Sequence, residues 1–127
     1  MKTAADIQSY LLKMELPTEE PREGTWLVKT AASEFLVITL AGPVVVFRCK
    51  VMEVPRHHRE ELYRTLLELN ATEMMHGAYG IEGDAIVISD ALQLENCDYN
   101  EFAATIDDIT LAVASHHGRL AKYREAA

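Results

Sequence analysis

The residues best suited to chemistry in this chain are its five histidines, but their spacing argues against a metal or catalytic site. They occur as two adjacent pairs and one single residue, namely His57, His58, His116, His117 and His76. Neighbouring side chains on a helix diverge by about 100°, so neither pair can chelate one ion as a unit. The chain also lacks the His-Glu-x-x-His motif of zinc hydrolases. We therefore predict no metal and no cofactor.

Three further patterns look catalytic or ligand-binding at first sight. Gly77-x-x-Gly80-x-x-Gly83 resembles a dinucleotide-binding loop, but it follows a predicted helix and opens into a strand, which is the reverse of the required order. Asp107 and Asp108 are adjacent, so a helix would splay their carboxylates apart and keep them from acting as an acid and base pair. The sequence does not form a nucleophile-elbow motif around Ser33, Ser89 or Ser115, so these serines are not expected to be catalytic nucleophiles. The sequence thus predicts a protein that is not an enzyme.

The formal net charge of −8 is concentrated in the C-terminal half of the chain. Residues 82–108 contain no basic residue and eight acidic ones, which are Glu82, Asp84, Asp90, Glu95, Asp98, Glu101, Asp107 and Asp108. Such a field repels phosphate backbones, so nucleic acid is not expected as a partner. It would attract a basic or amphipathic polypeptide, and the alternative is a solvated acidic surface that keeps the protein in solution.

Length and composition indicate an ordinary globular protein. The 127 residues, 49% of them apolar, predict a single domain over residues 1–127 with an ordered core of about residues 3–117. The longest apolar run, residues 35–47, is too short to span a membrane. The N-terminus lacks the apolar core of a signal peptide, so we expect a cytoplasmic protein without membrane contact. Cys49 and Cys97 match no metal spacing and are expected to be buried thiols, since a disulfide would require the Cys49 strand to pass the Cys97 loop.

The first half of the chain is predicted to form one helix followed by three strands. Thr3 is a suitable N-cap with Asp6 three residues later, and the helix ends before a polar, proline-containing loop at residues 17–24. The next segments are rich in β-formers and cover residues 25–31, 35–41 and 44–54. Their connections, one of them a turn at residues 33–34, are short enough only for antiparallel neighbours.

The second half is predicted to form a helix, a hairpin and a helix. A helix over residues 57–70 precedes a hairpin with its turn at residues 82–84. The two hairpin strands are predicted at residues 74–81 and 85–94. Asp98 caps the last helix, which is expected to fray beyond Gly118. The order α-β-β-β-α-β-β-α predicts an α+β fold in which helices pack on an antiparallel five-stranded sheet.

Four short motifs follow one another in the second half of the chain. They are the helix end Leu66-Leu67-Glu68-Leu69-Asn70, the strand Gly77-Ala78-Tyr79-Gly80, the strand exit Ala91-Leu92-Gln93-Leu94 and the helix start Cys97-Asp98. In their order and spacing they resemble motifs of the YbjN family and the related type III secretion chaperone fold. The family commonly has proline where this chain has Gln93. The resemblance implies either a small, acidic, dimeric chaperone for an unfolded stretch of another polypeptide or a YbjN-like sensory transduction regulator, because fold does not fix function.

The central strands carry apolar residues on both faces, which predicts a surface shared with another chain. An antiparallel sheet in a monomer has one face that meets water, and three helices cannot readily cover both faces of five strands. We therefore expect a homodimer that holds another polypeptide on apolar sheet surface, with the candidates Trp26, Leu36, Ile38, Val44 and Val46. The alternatives are that the first and last helices lie on opposite faces, or that the protein is a YbjN-like regulator of a small ligand or one folded partner.

Overall fold

The computed structural model describes residues 1–32 and 36–125, which form three helices and six strands. The helices are α1 (Ala4–Met14), α2 (Arg59–Thr72) and α3 (Tyr99–Glu125). The strands are β1 (Thr18–Arg22), β2 (Thr25–Val28), β3 (Leu36–Ala41), β4 (Val44–Glu53), β5 (Ala78–Glu82) and β6 (Ala85–Gln93). The turn predicted at residues 33–34 lies outside the described residues.

The described strands form one antiparallel sheet in the order β1-β2-β3-β4-β6-β5. The central pair is β4 and β6, whose partners run from Val44 opposite Gln93 to Glu53 opposite Ala85. The hairpin of β5 and β6 therefore pairs back onto the meander that ends in β4. This arrangement confirms the predicted α+β fold with an antiparallel sheet, and it leaves β1 and β5 as the edge strands.

Burial alternates along the strands because the helices cover only one face of the sheet. On β4, Phe47 and Cys49 are buried, whereas Arg48 and Lys50 are exposed. Residues opposite one another on antiparallel neighbours share a face, and Phe47 lies opposite Ile38. The buried residues of this face join the apolar stripes of all three helices in one cluster, whose helical members include Ile7, Leu11, Leu62, Leu69, Phe102 and Ile106. The other face carries no helix within the described part of the chain.

The first and last helices lie side by side on that covered face. The ring of Tyr10 on α1 lies 5.4 Å from that of Phe102 on α3, and Phe102 lies 5.5 Å from Phe47 on β4. The Tyr10 hydroxyl also donates a hydrogen bond to the Cys97 carbonyl at 3.0 Å. The alternative that these helices lie on opposite faces is therefore wrong, and one face of the sheet is left to other contacts.

The sheet has one strand more than predicted, because β1 lies in the segment interpreted as a loop. All residues of β1 are exposed, so the strand shows no alternation of apolar and polar residues. Its Pro21 is tolerated because β1 is an edge strand and needs no hydrogen bond on its outer side. A strand of this kind is held by its backbone pairing with β2 and leaves almost no signal in its side chains.

The N-terminal cap of α1 agrees with the sequence, but the length of α3 does not. Thr3 accepts a hydrogen bond from the Ala5 amide, and its own amide donates to Asp6, which completes the predicted capping box. The α3 helix continues through Gly118 to its last turn instead of fraying. Its final turns are fixed because Tyr123 is buried and its hydroxyl lies 3.3 Å from the Thr65 hydroxyl on α2.

Candidate partner-binding surfaces

The uncovered face of the sheet, called the open face below, is built largely from small and β-branched residues, together with Leu27 and Arg48. The strand register aligns Leu27, Val37 and Arg48 in one row, and Thr39, Val46 and Ala91 in the next. Of these, Leu27, Val37 and Val46 are half-buried although no helix among the described residues lies above them. The open face is therefore flat and moderately apolar. It could pack against an extended segment or another sheet.

An ion pair crosses one side of the open face. Arg48 on β4 contacts Glu82 on β5 at 2.8 Å, and β6 lies between these two strands. The pair must therefore span β6, where Val87 faces the same side as Lys50 of β4. This explains why Val87 is only 8% exposed on a face that no helix of the described residues covers. The Arg48–Glu82 ion pair thus covers the side of the open face near Val87. The apolar rows near Val37 and Val46 remain available to a partner.

The five predicted partner-binding residues do not share one face. Trp26, Leu36 and Ile38 belong to the helix-covered core, where each is at most 1% exposed. Val44 and Val46 lie on the open face and are half-buried. The strand register causes this division, because it places Ile38 opposite the buried Phe47 and not opposite Val46. As contact residues on the sheet surface, only Val44 and Val46 remain in our proposal.

The acidic residues predicted as one surface are divided between the two ends of the sheet. Glu82 and Asp84 lie at the β5–β6 turn, whereas Glu95 and Asp98 lie beyond the opposite end of β6. Glu95 accepts a hydrogen bond from the Lys2 amide at 3.0 Å, and Asp98 caps α3 by accepting from the Glu101 amide. The remaining members lie on β6 or along α3 and are Asp90, Glu101, Asp107 and Asp108. That these charges speed the association of a basic partner stays a prediction.

A second apolar surface, called the α2–β5 patch below, was not predicted. It consists of Tyr63 and Leu67 on α2 and Ile81 on the edge strand β5, around a shallow pocket of about 290 Å³. Leu67 is 68% exposed and Ile81 is 55% exposed, which is unusual for side chains of this size. The available signal was that Leu67 falls outside the buried stripe of Leu62, Leu66 and Leu69.

The α2–β5 patch is held in place by an amide clamp. Asn70 accepts a hydrogen bond from the Tyr79 amide at 2.8 Å and donates one to the Tyr79 carbonyl at 3.2 Å. Asn70 thus acts towards the edge strand β5 as a neighbouring strand would. We predicted that α2 ends at Asn70, but the helix continues to Thr72 because this side chain serves β5 and not the helix terminus.

Beneath the clamp, a chain of polar side chains links β5 to α3 and to Glu73, the residue that follows α2. The Tyr79 hydroxyl lies 2.7 Å from His116 Nδ1 on α3, and His116 Nε2 lies 3.4 Å from a Glu73 carboxylate oxygen. Burial raises the pKa of Tyr79 to about 12, although the charge of Arg124 opposes the shift. This chain fixes β5 on the helices.

The raised pKa of Tyr79 predicts a loss of stability at alkaline pH. The unfolded chain ionises Tyr79 near its ordinary pKa of 10.0, whereas the folded protein keeps it neutral up to about 12. Stability is therefore fully present below pH 10 and falls as the pH rises towards 12. Tyr79→Phe should flatten this part of the curve. It should also cost about 1 kcal/mol at neutral pH through the lost hydrogen bond. Urea unfolding at a series of pH values measures both effects.

The control for this experiment is Tyr63→Phe, which alters a half-buried tyrosine of the α2–β5 patch. It should leave the alkaline fall in stability unchanged. An equal flattening in both variants would show that Tyr79 is not the residue responsible.

Cys49 and Cys97 are both buried, and neither takes part in a disulfide within the described residues. Within residues 1–32 and 36–125, no group of three or more histidine, cysteine, aspartate or glutamate side chains could hold a metal ion. None of the helices in that part is long and apolar enough to cross a membrane.

Solved structures with the same fold include YbjN, a chain of a complex from a type III secretion system and a chain of a chaperone–effector complex. A chain of the ExoU–SpcU heterodimer from the type III secretion system of Pseudomonas aeruginosa has a TM-score of 0.72 and 16% identity, over 95% of this chain and 99% of that chain. YbjN from E. coli has a TM-score of 0.69 and 14% identity over 92% of each chain. A chain of the HopA1–SchA chaperone–effector complex has a TM-score of 0.67 and 9% identity, over 96% of this chain and 92% of that chain. At such identities the likeness shows the fold alone.

The family follows from the sequence match. No curated protein matches this chain. The family model CesT_Tir_1 matches residues 1–126, which is nearly the whole chain. The resemblance to YbjN and to type III secretion chaperones is thereby confirmed. The chain belongs to the CesT_Tir_1 family of type III secretion chaperones.

Proposed function

We propose that this protein is a non-enzymatic, homodimeric chaperone of the cytoplasm that holds a segment of a partner polypeptide on the open face of its sheet. The family supports the class of role. The observation that carries the proposal is the uncovered apolar area around Val37 and Val46, which contrasts with the helix-covered core on the other side. One of the solved structures with this fold is a chain of a chaperone–effector complex, and this supports a polypeptide as the partner.

The shape of the open face indicates what kind of segment it holds. The row of Thr39, Val46 and Ala91 consists of small and β-branched residues, and an extended segment can lie across such a surface. Complete burial of a fully exposed valine stabilises a complex by about 1.5 kcal/mol or more. A valine that is already half-buried in the free protein stabilises the complex by less, because less of its surface leaves water. Several such contacts together give specific binding without any dominant charge pair.

The homodimer is proposed to form through the α2–β5 patch. Leu67 and Ile81 are large exposed apolar residues beside the edge strand β5. A two-fold axis at this place would bring the same patch of both copies together and bury these residues. It would leave the open face of each copy free for the partner. Dimer formation and partner binding thus have separate surfaces.

The alternative, a YbjN-like regulator that binds a small ligand, has less support. The apolar pocket beside Tyr79 is shallow and open, and its walls include Tyr63, Leu67 and Ile81 of the proposed dimer surface. The family that matches is a chaperone family. We therefore assign this pocket to the contact between two copies.

The open face can be tested with Val46→Asp once affinity purification from the native cytoplasm has identified the partner. A carboxylate at Val46 places a charge within the apolar rows, while the half-buried position lets the fold survive. We expect the affinity for the purified partner to fall about 30-fold, as for the loss of a 2 kcal/mol contact. Titration calorimetry measures the affinity, and circular dichroism and light scattering check the fold and the dimer.

The matched comparison neutralises two exposed acids of α3 in the variant Glu101→Gln, Asp107→Asn. This variant should slow association mildly and only at low salt, because exposed charges act through a screened field. Strong loss of binding in this variant together with unchanged binding by Val46→Asp would contradict the proposed role of the open face.

A further inference from the structure

His116 on α3 is a titratable side chain that the fold buries. All five histidines lie in the described part of the chain, and His116 alone among them is buried, with 5% of its surface exposed. An imidazole ordinarily takes up a proton between about pH 8 and pH 5, and the protonated ring carries a charge and a second N–H group. The contacts of His116 therefore decide how the fold responds to mild acid.

These contacts fit the neutral ring. His116 Nε2 lies 3.4 Å from a carboxylate oxygen of Glu73, which favours the proton on that nitrogen. Nδ1 then has a lone pair, which can accept from the Tyr79 hydroxyl at 2.7 Å. Among the residues that the structure describes, His116 is the one hydrogen-bond partner of that hydroxyl.

A second proton on the ring disrupts the contact between α3 and β5. Both ring nitrogens are then donors, so Nδ1 can no longer accept from Tyr79. The hydroxyl must turn to accept, which leaves its own hydrogen without an acceptor in the described part of the chain. A buried donor without a partner is unfavourable, so protonation weakens the link between Tyr79 and His116.

The nearest charges do not compensate for this loss. Arg119 lies 3.6 Å from the other carboxylate oxygen of Glu73, so Glu73 is shared between His116 and a permanent cation. Arg124, near the end of α3, places a second positive charge close to Tyr79. A protonated His116 would therefore be a third cation around one carboxylate.

The other titratable groups around His116 do not reverse the sign. His76, which precedes β5, contacts the Asp108 carboxylate on α3 through Nδ1. Protonation of His76 strengthens that pair, but both side chains are about 30% exposed, and such pairs contribute little. On the side of β4, the group that acts on Tyr79 is the buried thiol of Cys49.

We propose that His116 is a proton switch for β5, in which protonation of Nδ1 in mild acid breaks the contact with Tyr79 and loosens the strand from α3. The proton comes from water through a surface pocket of about 220 Å³ that His116 lines. Because β5 carries Ile81 of the α2–β5 patch, loosening the strand weakens the dimer. This last consequence rests on the proposed function.

The test compares the native dimer with that of His116→Gln at pH 7.5 and pH 5.5. Glutamine can accept from Tyr79 and donate towards Glu73, but it takes up no proton. The net charge of −8 shrinks towards the pI of about 5.0 in all variants alike, so the result is read as a difference between them. From pH 7.5 to pH 5.5 the native dissociation constant should rise about tenfold relative to that of His116→Gln, as for one lost buried hydrogen bond. Sedimentation equilibrium measures both constants.

Two further variants show whether the response comes from this contact. His117→Gln removes the neighbouring, exposed histidine and should keep the native response. Tyr79→Phe keeps His116 but removes the hydroxyl, so the response should be lost, and this variant serves if His116→Gln does not fold. The same response in the native protein, His116→Gln and Tyr79→Phe would overturn the switch.

A monomeric native protein would refute the proposed dimer and not the switch. Urea unfolding at the two pH values then makes the same comparison. The native protein should lose more stability than His116→Gln between pH 7.5 and pH 5.5, whereas an equal loss in both would overturn the switch.

Discussion

Leu67→Asp is expected to give a folded monomer at micromolar concentrations at which the native protein is a dimer. Leu67 is 68% exposed, so the replacement removes no core contact. In a two-fold interface the same position occurs in both copies, so each side loses an apolar contact and gains a charge. A loss of about 2 kcal/mol per copy raises the dissociation constant about a thousandfold. Light scattering should give about 14.2 kDa for the variant and twice that mass for the native protein.

The matched control for the dimer is Leu111→Asp, since Leu111 on α3 is 64% exposed and lies away from the α2–β5 patch. This variant should remain a dimer. A native protein that is already a monomer would refute the proposed assembly. A dimer that survives Leu67→Asp would place the contact on a different surface.

The helices and the antiparallel order of the strands could be predicted because local signals specify them. The Thr3 capping box and the Asp98 cap act over three residues, so they can be read directly from the chain. Short connections such as the β3–β4 turn at Gly42 allow only antiparallel neighbours. These features depend on nearest neighbours and need no knowledge of the tertiary structure.

The faces of the strands could not be predicted in the same way. Apolar residues occur on both sides of β3 and β4, so alternation alone does not say which side the helices cover. The register decides this, because Ile38 lies opposite Phe47 and both join the core. Only this long-range pairing separates Leu36 and Ile38 from Val44 and Val46, and the sequence contains no local signal for it.

The α2–β5 patch and the role of Asn70 could not be predicted from the sequence for a related reason. Leu67 looks like one more leucine in a leucine-rich helix, and its exposure becomes visible only when the buried stripe is known. Asn70 resembles an ordinary helix stop, whereas its amide pairs with the backbone of Tyr79. In both cases the function of a helix residue is set by the position of β5.

The glycine motif that first suggested a nucleotide loop is expected instead to hold β5 in place. Gly77 has a φ of +79°, and a Cβ there would lie 2.9 Å from the Ser89 carbonyl oxygen and 3.2 Å from Ile88 Cγ2. Gly77→Ala therefore combines a left-handed backbone with a clash against the backbone of β6. We expect the free energy of unfolding to fall by about 2–4 kcal/mol. Urea denaturation at one fixed protein concentration measures it.

Substitutions at the other two glycines of the motif separate the effect of the left-handed backbone from the effect of the clash with β6. Gly83 has a φ of +61° but nothing within 4 Å of its Cβ position, so Gly83→Ala should cost only the backbone strain of about 1–2 kcal/mol. Gly80 has neither feature, and Gly80→Ala should change stability by about 0.5 kcal/mol or less. Because β5 carries Ile81, Gly77→Ala should also weaken the dimer, whereas Gly80→Ala should not. Equal losses in all three variants would show that the close approach of Gly77 to β6 does not determine the position of β5.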